Sequence, residues 1–128
     1  PYRRQRQMCI RDRLLNLDEE DKKRGYAGGM SANRINAGLG TIISQVLEQV
    51  GREKIAGLYT TGGDTMVNVC YQLGVECIEV MDYVIPQTDV GRLVGKYDGL
   101  PVVGKGGLTG NDNTACDIVE RLFKESAR

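Results

Sequence analysis

Across residues 31–50 the apolar positions Ile35, Leu39, Ile42, Ile43, Val46, Leu47 and Val50 recur at steps of three and four. That spacing gathers them on one side of a helix, with Arg34, Thr41, Gln45, Glu48 and Gln49 largely opposite. Ser31 suits an N-cap and Gly51 a stop. Burial of such side chains, at about 1.5–3 kcal/mol each, is expected to hold this helix rather than its propensity. The pattern then changes period. Residues 55–60 form a short apolar run, as in a buried parallel strand. A Gly62-Gly63 turn follows, then a helix to Leu73 with Met66, Val67, Val69, Cys70 and Leu73 as its apolar face. Asp64 or Thr65 is its expected cap, and Gly74 its end. Val75, Cys77, Ile78 and Val80 interleave with Glu76 and Glu79, a strand nearer the sheet edge that continues to Val84 and breaks at Pro86. Residues 88–94 read as extended, 97–99 as a turn and 100–103 as a strand. Asn111-Asp112-Asn113 then caps a last helix at 115–124, with Ile118, Val119, Leu122 and Phe123 inward. This alternation predicts an α/β layered domain, a small mainly parallel or mixed sheet flanked by helices.

Two glycine-rich turns carry the candidate chemistry: Thr60-Thr61-Gly62-Gly63-Asp64-Thr65 and Gly104-Lys105-Gly106-Gly107-Leu108-Thr109-Gly110. Each follows a strand pattern and precedes a helix pattern. Glycine lets backbone approach a ligand closely, and the N–H groups of a helix start seat an anion. The pair therefore suggests a phosphate or nucleotide site, although glycines also turn corners in any α/β domain. Asp64 can bind magnesium, hold a ribose hydroxyl or cap its helix. Lys105 can reach a phosphate as a point charge or stand as a surface lysine at a strand end. Residues 99–106 approach a P-loop, but Gly106 stands where Ser or Thr should bind magnesium, and Pro101, Val102 and Val103 read as strand where that motif has its loop.

Composition narrows the classes. With 128 residues the chain has enough for one core. No apolar stretch approaches a membrane span, and no apolar signal region is visible, so a cytoplasmic setting is expected. Histidine is absent, which removes histidine acid/base and nucleophilic chemistry. Four cysteines without a CxxC pair do not suggest zinc. Cys70, Cys77 and Cys116 sit among apolar residues and are expected to be reduced, buried packing residues. The formal charge is zero, but residues 1–13 hold five arginines and one aspartate. Taking these from the 17 basic and 17 acidic residues leaves 12 against 16, a net −4. An acidic remainder argues against nucleic acid as the partner.

Residues 1–13 resemble a translated sequencing adapter rather than a basic arm. The expected organisation is therefore an artefact at 1–13, a linker or truncated domain edge at 14–30, and a nucleotide-binding domain at 31–128 whose native chain continues upstream. Residues 18–24 read as a solvated turn or short helix end, and 25–29 as a flexible joint.

Gly62-Gly63-Asp64-Thr65, Leu73-Gly74-Val75, Ile85-Pro86 and residues 102–110, in this order and spacing, resemble the C-terminal nucleotide-binding domain of the four-carbon acid sugar kinases. Arg34-Ile35-Asn36 also resembles that family's helix before the first turn. The resemblance runs from about Ser31 to Leu122 and implies a bacterial enzyme that phosphorylates threonate, erythronate or 3-oxo-tetronate with ATP and Mg2+. It implies that Gly62, Gly63, Asp64 and Thr65 form one wall of the ATP site, and Lys105, Gly106, Gly107 and Gly110 the other. The acid-sugar site and the catalytic base would lie in an N-terminal domain, so no catalytic residue is assigned here and this piece alone is expected to be inactive. A homo-oligomer is compatible with this reading. Gly106 stands where serine is common in the family, and Gln87-Thr88 replaces its usual glycine-valine. A stand-alone, non-catalytic nucleotide-sensing or interaction module is the alternative.

Overall fold

A computed structural model describes residues 16–128; the adapter-like stretch and Cys9 lie outside the described residues. The chain divides into two compact units, residues 1–35 and 36–128.

The described part of the first unit holds helix α1, Leu17–Arg24, and the start of helix α2, Met30–Val50. Residues 18–24 thus form a helix of their own. Asn16 caps it, accepting from Glu19 N, and Gly25 closes it in the left-handed conformation. Its acidic first turn and basic last turn complement the helix dipole. The buried Asp21 carboxylate accepts from Gly29 N at 2.8 Å and Ser31 N at 2.9 Å. These bonds pin the glycine joint and cap α2. The expected Ser31 cap is therefore replaced by a carboxylate from the preceding helix. Hydrogen bonds from Ser31 and from the Gly29 amide hold the Asp21 carboxyl below its usual range. Arg34 donates to the Tyr26 hydroxyl at 2.9 Å.

In the second unit a 3-10 turn, Arg52–Lys54, leads to β1, Leu58–Thr61. Helix α3, Gly63–Leu73, then β2, Val75–Ile85, β3, Thr88–Gly95, β4, Pro101–Lys105, and helix α4, Thr114–Ser126, follow. The sheet order is β1-β4-β3-β2, with β1 and β4 parallel and β3 antiparallel to both neighbours. The sheet is mixed, and β2 is an edge strand as its alternation predicts. Successive residues point to opposite faces, and two cores result. Leu47, Val69, Leu73, Leu93, Tyr97, Leu100 and Val102 fill one face under α2 and α3. Val90, Val103, Ile118 and Leu122 fill the other under α4.

Three burial expectations are corrected. Helix α2 docks through Gly40, whose missing Cβ would stand 2.8 Å from the Asn68 carbonyl, and through Ile43 and Leu47. The stripe Ile35, Leu39, Ile42, Val46 and Val50 is consequently exposed. A helix with two apolar stripes can seat only one on a given neighbour. For the same reason Val67 on α3 and Val119 and Phe123 on α4 are exposed, whereas Val69, Ile118 and Leu122 are buried. Cys77 and Cys116 are exposed and Cys70 is half-buried, all three as free thiols.

At the other end of the sheet Glu125 is buried, and its Oε1 lies 2.8 Å from Arg121 Nε and 3.5 Å from Arg128. Its Oε2 lies 3.5 Å from Arg92, and Arg121 also pairs with Asp82 at 3.0 Å. The Arg121 hydrogen bond, with the charges of Arg128, Arg121 and Arg92, holds the Glu125 carboxyl below its usual range.

Candidate nucleotide-binding site

The parallel pair β1 and β4 ends both strands at the same edge, with Thr61 beside Lys105 in register. Both glycine-rich turns leave from there. They touch: the Gly62 N–H donates to the Lys105 carbonyl at 3.0 Å. A third loop joins them, because the Gly106 N–H donates to the Gln87 carbonyl in the β2–β3 turn at 2.8 Å. Residues more than 40 positions apart, such as Gly62 and Lys105, are thus assembled at one edge by the crossover through α3 and the hairpin.

Gly62 occupies the N-cap position of α3 with φ 89°, which favours glycine, and no side chain caps the helix. The expected cap by Asp64 or Thr65 is not made. Asp64 is exposed, and its backbone carbonyl accepts from Asn68 Nδ2 at 2.8 Å. The Thr65 hydroxyl instead donates to Asn36 Oδ1 at 3.0 Å, tying the first turn to α2. Among the described residues, the amides of Gly63, Asp64 and Thr65 therefore have no protein acceptor. Such a helix start is a concentration of positive potential.

The second turn is closed by its own polar groups. The Gly106 carbonyl accepts from Lys105 Nζ at 2.7 Å and from the Thr109 hydroxyl at 3.0 Å. Lys105 is half-buried and folded over the turn, rather than a free surface lysine. Gly107 is exposed, and Gly110 has φ 101°. A Cβ on Gly110 would meet Thr114 Oγ1 at 2.7 Å, so the turn enters α4 through a glycine. Asn113 holds the N-cap position without a side-chain bond; Asn111 Oδ1 accepts from Asn113 N at 2.9 Å. The structure thus brings Gly62, Gly63, Asp64, Thr65, Lys105, Gly106, Gly107 and Gly110 to one sheet edge.

Asn36 and Gln87 were not among the candidate residues. Asn36 enters the sequence reading only within the Arg34-Ile35-Asn36 resemblance, and its bond to Thr65, 29 residues away, leaves no local signal. Gln87 had one: it follows Pro86 in a two-residue turn whose second position favours glycine. It is the only non-glycine residue with positive φ, 61°, among the described residues. The neighbouring Thr88 is fully buried with its hydroxyl unpartnered among the described residues. Both departures cost stability. Gln87→Gly and Thr88→Val are each expected to stabilise the domain by about 1 kcal/mol. Urea unfolding reads this as a higher midpoint, and a lowered midpoint for either variant would contradict the strain described here.

Comparison with known proteins agrees with this geometry. Residues 8–115 match the family described as the nucleotide-binding C-terminal domain. The chain is 45% identical over 93 residues to a D-erythronate kinase of Heliobacterium modesticaldum, covering 72% of this chain and 21% of that protein. It is 34% identical over 109 residues to a D-threonate kinase of Salmonella typhimurium, covering 84% of this chain and 25% of that protein. It thus spans about a fifth to a quarter of the length of these relatives. A citrate-bound, domain-swapped dimeric protein of unknown function from Bordetella bronchiseptica has a similar fold, with TM-score 0.66 and 27% identity over 77% of this chain and 24% of that one. A second crystal form of it gives TM-score 0.64 over 80% of this chain. No helix among the described residues is long and apolar enough to cross a membrane. With the two turns joined at one edge and this match over most of its length, the chain belongs to the nucleotide-binding C-terminal domains of the four-carbon acid sugar kinase family.

Proposed function

We propose that this domain binds Mg-ATP and serves phosphoryl transfer from ATP to a four-carbon acid sugar of the threonate, erythronate or 3-oxo-tetronate type. The observation that carries the reading is the 3.0 Å hydrogen bond from Gly62 N–H to the Lys105 carbonyl, which sets both glycine turns beside the uncapped start of α3. Backbone N–H groups of Gly63, Asp64 and Thr65 suit an anion, and the exposed Gly107 leaves the opposite turn open to close approach. Lys105 contributes a fixed positive charge. Asp64 is the carboxylate at this edge suited to Mg2+, which commonly takes one or two carboxylates together with nucleotide phosphates. Bound magnesium neutralises charge on the phosphates. The chain's own part is positioning: a cradle fixed before the nucleotide arrives costs no reorganisation during transfer. The names of the relatives, a D-erythronate kinase and a D-threonate kinase, support the kinase activity and the substrate class; a cytoplasmic setting and an acid-sugar site on other parts of the longer protein are part of the same proposal. The domain-swapped neighbour supports self-association.

Titration calorimetry of the 128-residue chain with Mg-ATP is expected to show weak binding, with no phosphate transferred to threonate or erythronate. The intact longer protein is expected to bind ATP and phosphorylate one of them. Failure of that intact protein to bind ATP would overturn the reading.

A further inference from the structure

Strand β1 ends the sheet on one side. It is parallel to β4, and no strand lies along its other edge among the described residues. Helix α2 overhangs that edge. At about 100° per residue, Gly40 faces α3, and Leu47, Ile43, Val50, Leu39, Val46 and Ile42 follow in that order as the helix surface turns away from α3. Exposure rises in the same order: Leu47 is 2% exposed, Val50 38%, Leu39 42%, Val46 43% and Ile42 55%. The core thus gives way to solvent on the side of α2 that looks past β1, although the side chains there remain apolar. The opposite face of the sheet ends in the same way. Tyr59 of β1 is exposed, and so is Phe123 of α4, which lines a recess with Ile55 and Ala56, the residues leading into β1.

We infer that the free edge of β1 and the apolar side of α2 seat a further parallel strand, supplied by the longer protein in which this domain occurs. Length and topology select that occupant. The matched stretches make up only 21% and 25% of the two kinases, so a relative of that length has chain to supply. Helix α2 leads into β1 on the face that carries α3, and α3 leads out of β1 toward the hairpin and β4. Crossovers between parallel strands are right-handed in nearly all proteins. With both helices on one face and β4 inward of β1, the same hand puts a strand upstream of α2 outward of β1. Parallel strands are commonly covered on both faces, and the added strand would lie between the α2 side chains and Tyr59. A second copy is a poorer occupant. Strand β1 has four residues, so a seam between copies would be short and would carry the cost of association, which a strand of the same chain does not.

The test is made on the intact longer protein and needs no nucleotide, so its failure leaves the proposed nucleotide site untouched. Ile42→Lys is expected to lower the melting temperature of the intact protein by at least about 4 °C, because it sets an ammonium beneath the added strand. Gln45→Lys, on the opposite side of α2, is expected to change it by less than about 1 °C. In the 128-residue chain, where Ile42 is exposed, both substitutions are expected to have the same small effect. Hydrogen exchange is the second readout: the outward amides of residues 58–61 are expected to exchange at least about tenfold more slowly in the intact protein than in the 128-residue chain, at every protein concentration. An intact protein that melts alike with and without Ile42→Lys would overturn the inference. Protection of β1 that appears only as concentration rises would also overturn it, and would give the edge to a second copy.

Discussion

Gly63→Val and Gly107→Val are each expected to abolish measurable Mg-ATP binding while the protein still folds. Neither glycine has a left-handed backbone, and a Cβ on either would meet nothing within 4 Å. The fold therefore tolerates the side chain. A nucleotide phosphate would not, because valine would occupy the space through which it approaches the amides at the start of α3 or in the second turn. Losing two charge-assisted hydrogen bonds at about 1.5 kcal/mol each weakens binding by about 3 kcal/mol, or roughly a hundredfold. Gly62→Val and Gly110→Val are the contrast. Both positions have strongly positive φ, so those variants should lose stability as well as binding. Calorimetry with thermal melts on all four separates a ligand role from corner-turning. Unchanged ATP affinity in both Gly63→Val and Gly107→Val would reduce the turns to structural corners.

Glu125→Gln is expected to cost about 3 kcal/mol at neutral pH, because it leaves guanidinium groups facing a buried neutral amide. In a domain of this size that lowers the melting temperature by roughly 10 °C. The isosteric amide keeps the packing, so the loss reports charge. The same cluster sets an acid limb. The carboxyls of Glu125 and Asp82 are held below their usual values in the folded state, Glu125 first by the Arg121 hydrogen bond and Asp82 first by the Tyr83 backbone N–H with Arg121 next. Their stabilisation is thus complete above the unfolded-state values, 4.5 for Glu and 3.8 for Asp, and is lost as the pH falls through the lower folded-state values. Melting temperatures measured from pH 7 downward should fall in the acid range for the wild type and more shallowly for Glu125→Gln. An unchanged melting temperature for the variant at pH 7 would contradict the role given to this cluster.

Periodicity and punctuation determined most elements of this protein; the exceptions are α1, a full helix at Leu17–Arg24 where a solvated turn or short helix end was expected, and β1, which starts at Leu58 rather than at Ile55. The three- and four-residue spacing from Ile35 to Val50, the Gly74 stop and the alternation across Val75 to Val80 act within one turn or one pleat, and the elements formed where those local rules place them. The paired glycine turns were equally local, and their family resemblance depended only on order and spacing. What required the tertiary structure was everything set by a partner distant in the chain. Which stripe of α2 is buried depended on Gly40 meeting Asn68. The cap of α2 came from Asp21 rather than Ser31, and Thr65 turned to Asn36 instead of capping its helix. Local propensity cannot choose among several acceptors, since the choice is made by whichever group the packing brings within hydrogen-bond reach. The meeting of the two turns belongs to the same class. Sequence placed each turn at a strand end, but only the parallel pairing of β1 with β4 sets those ends side by side and lets Gly62 donate to Lys105.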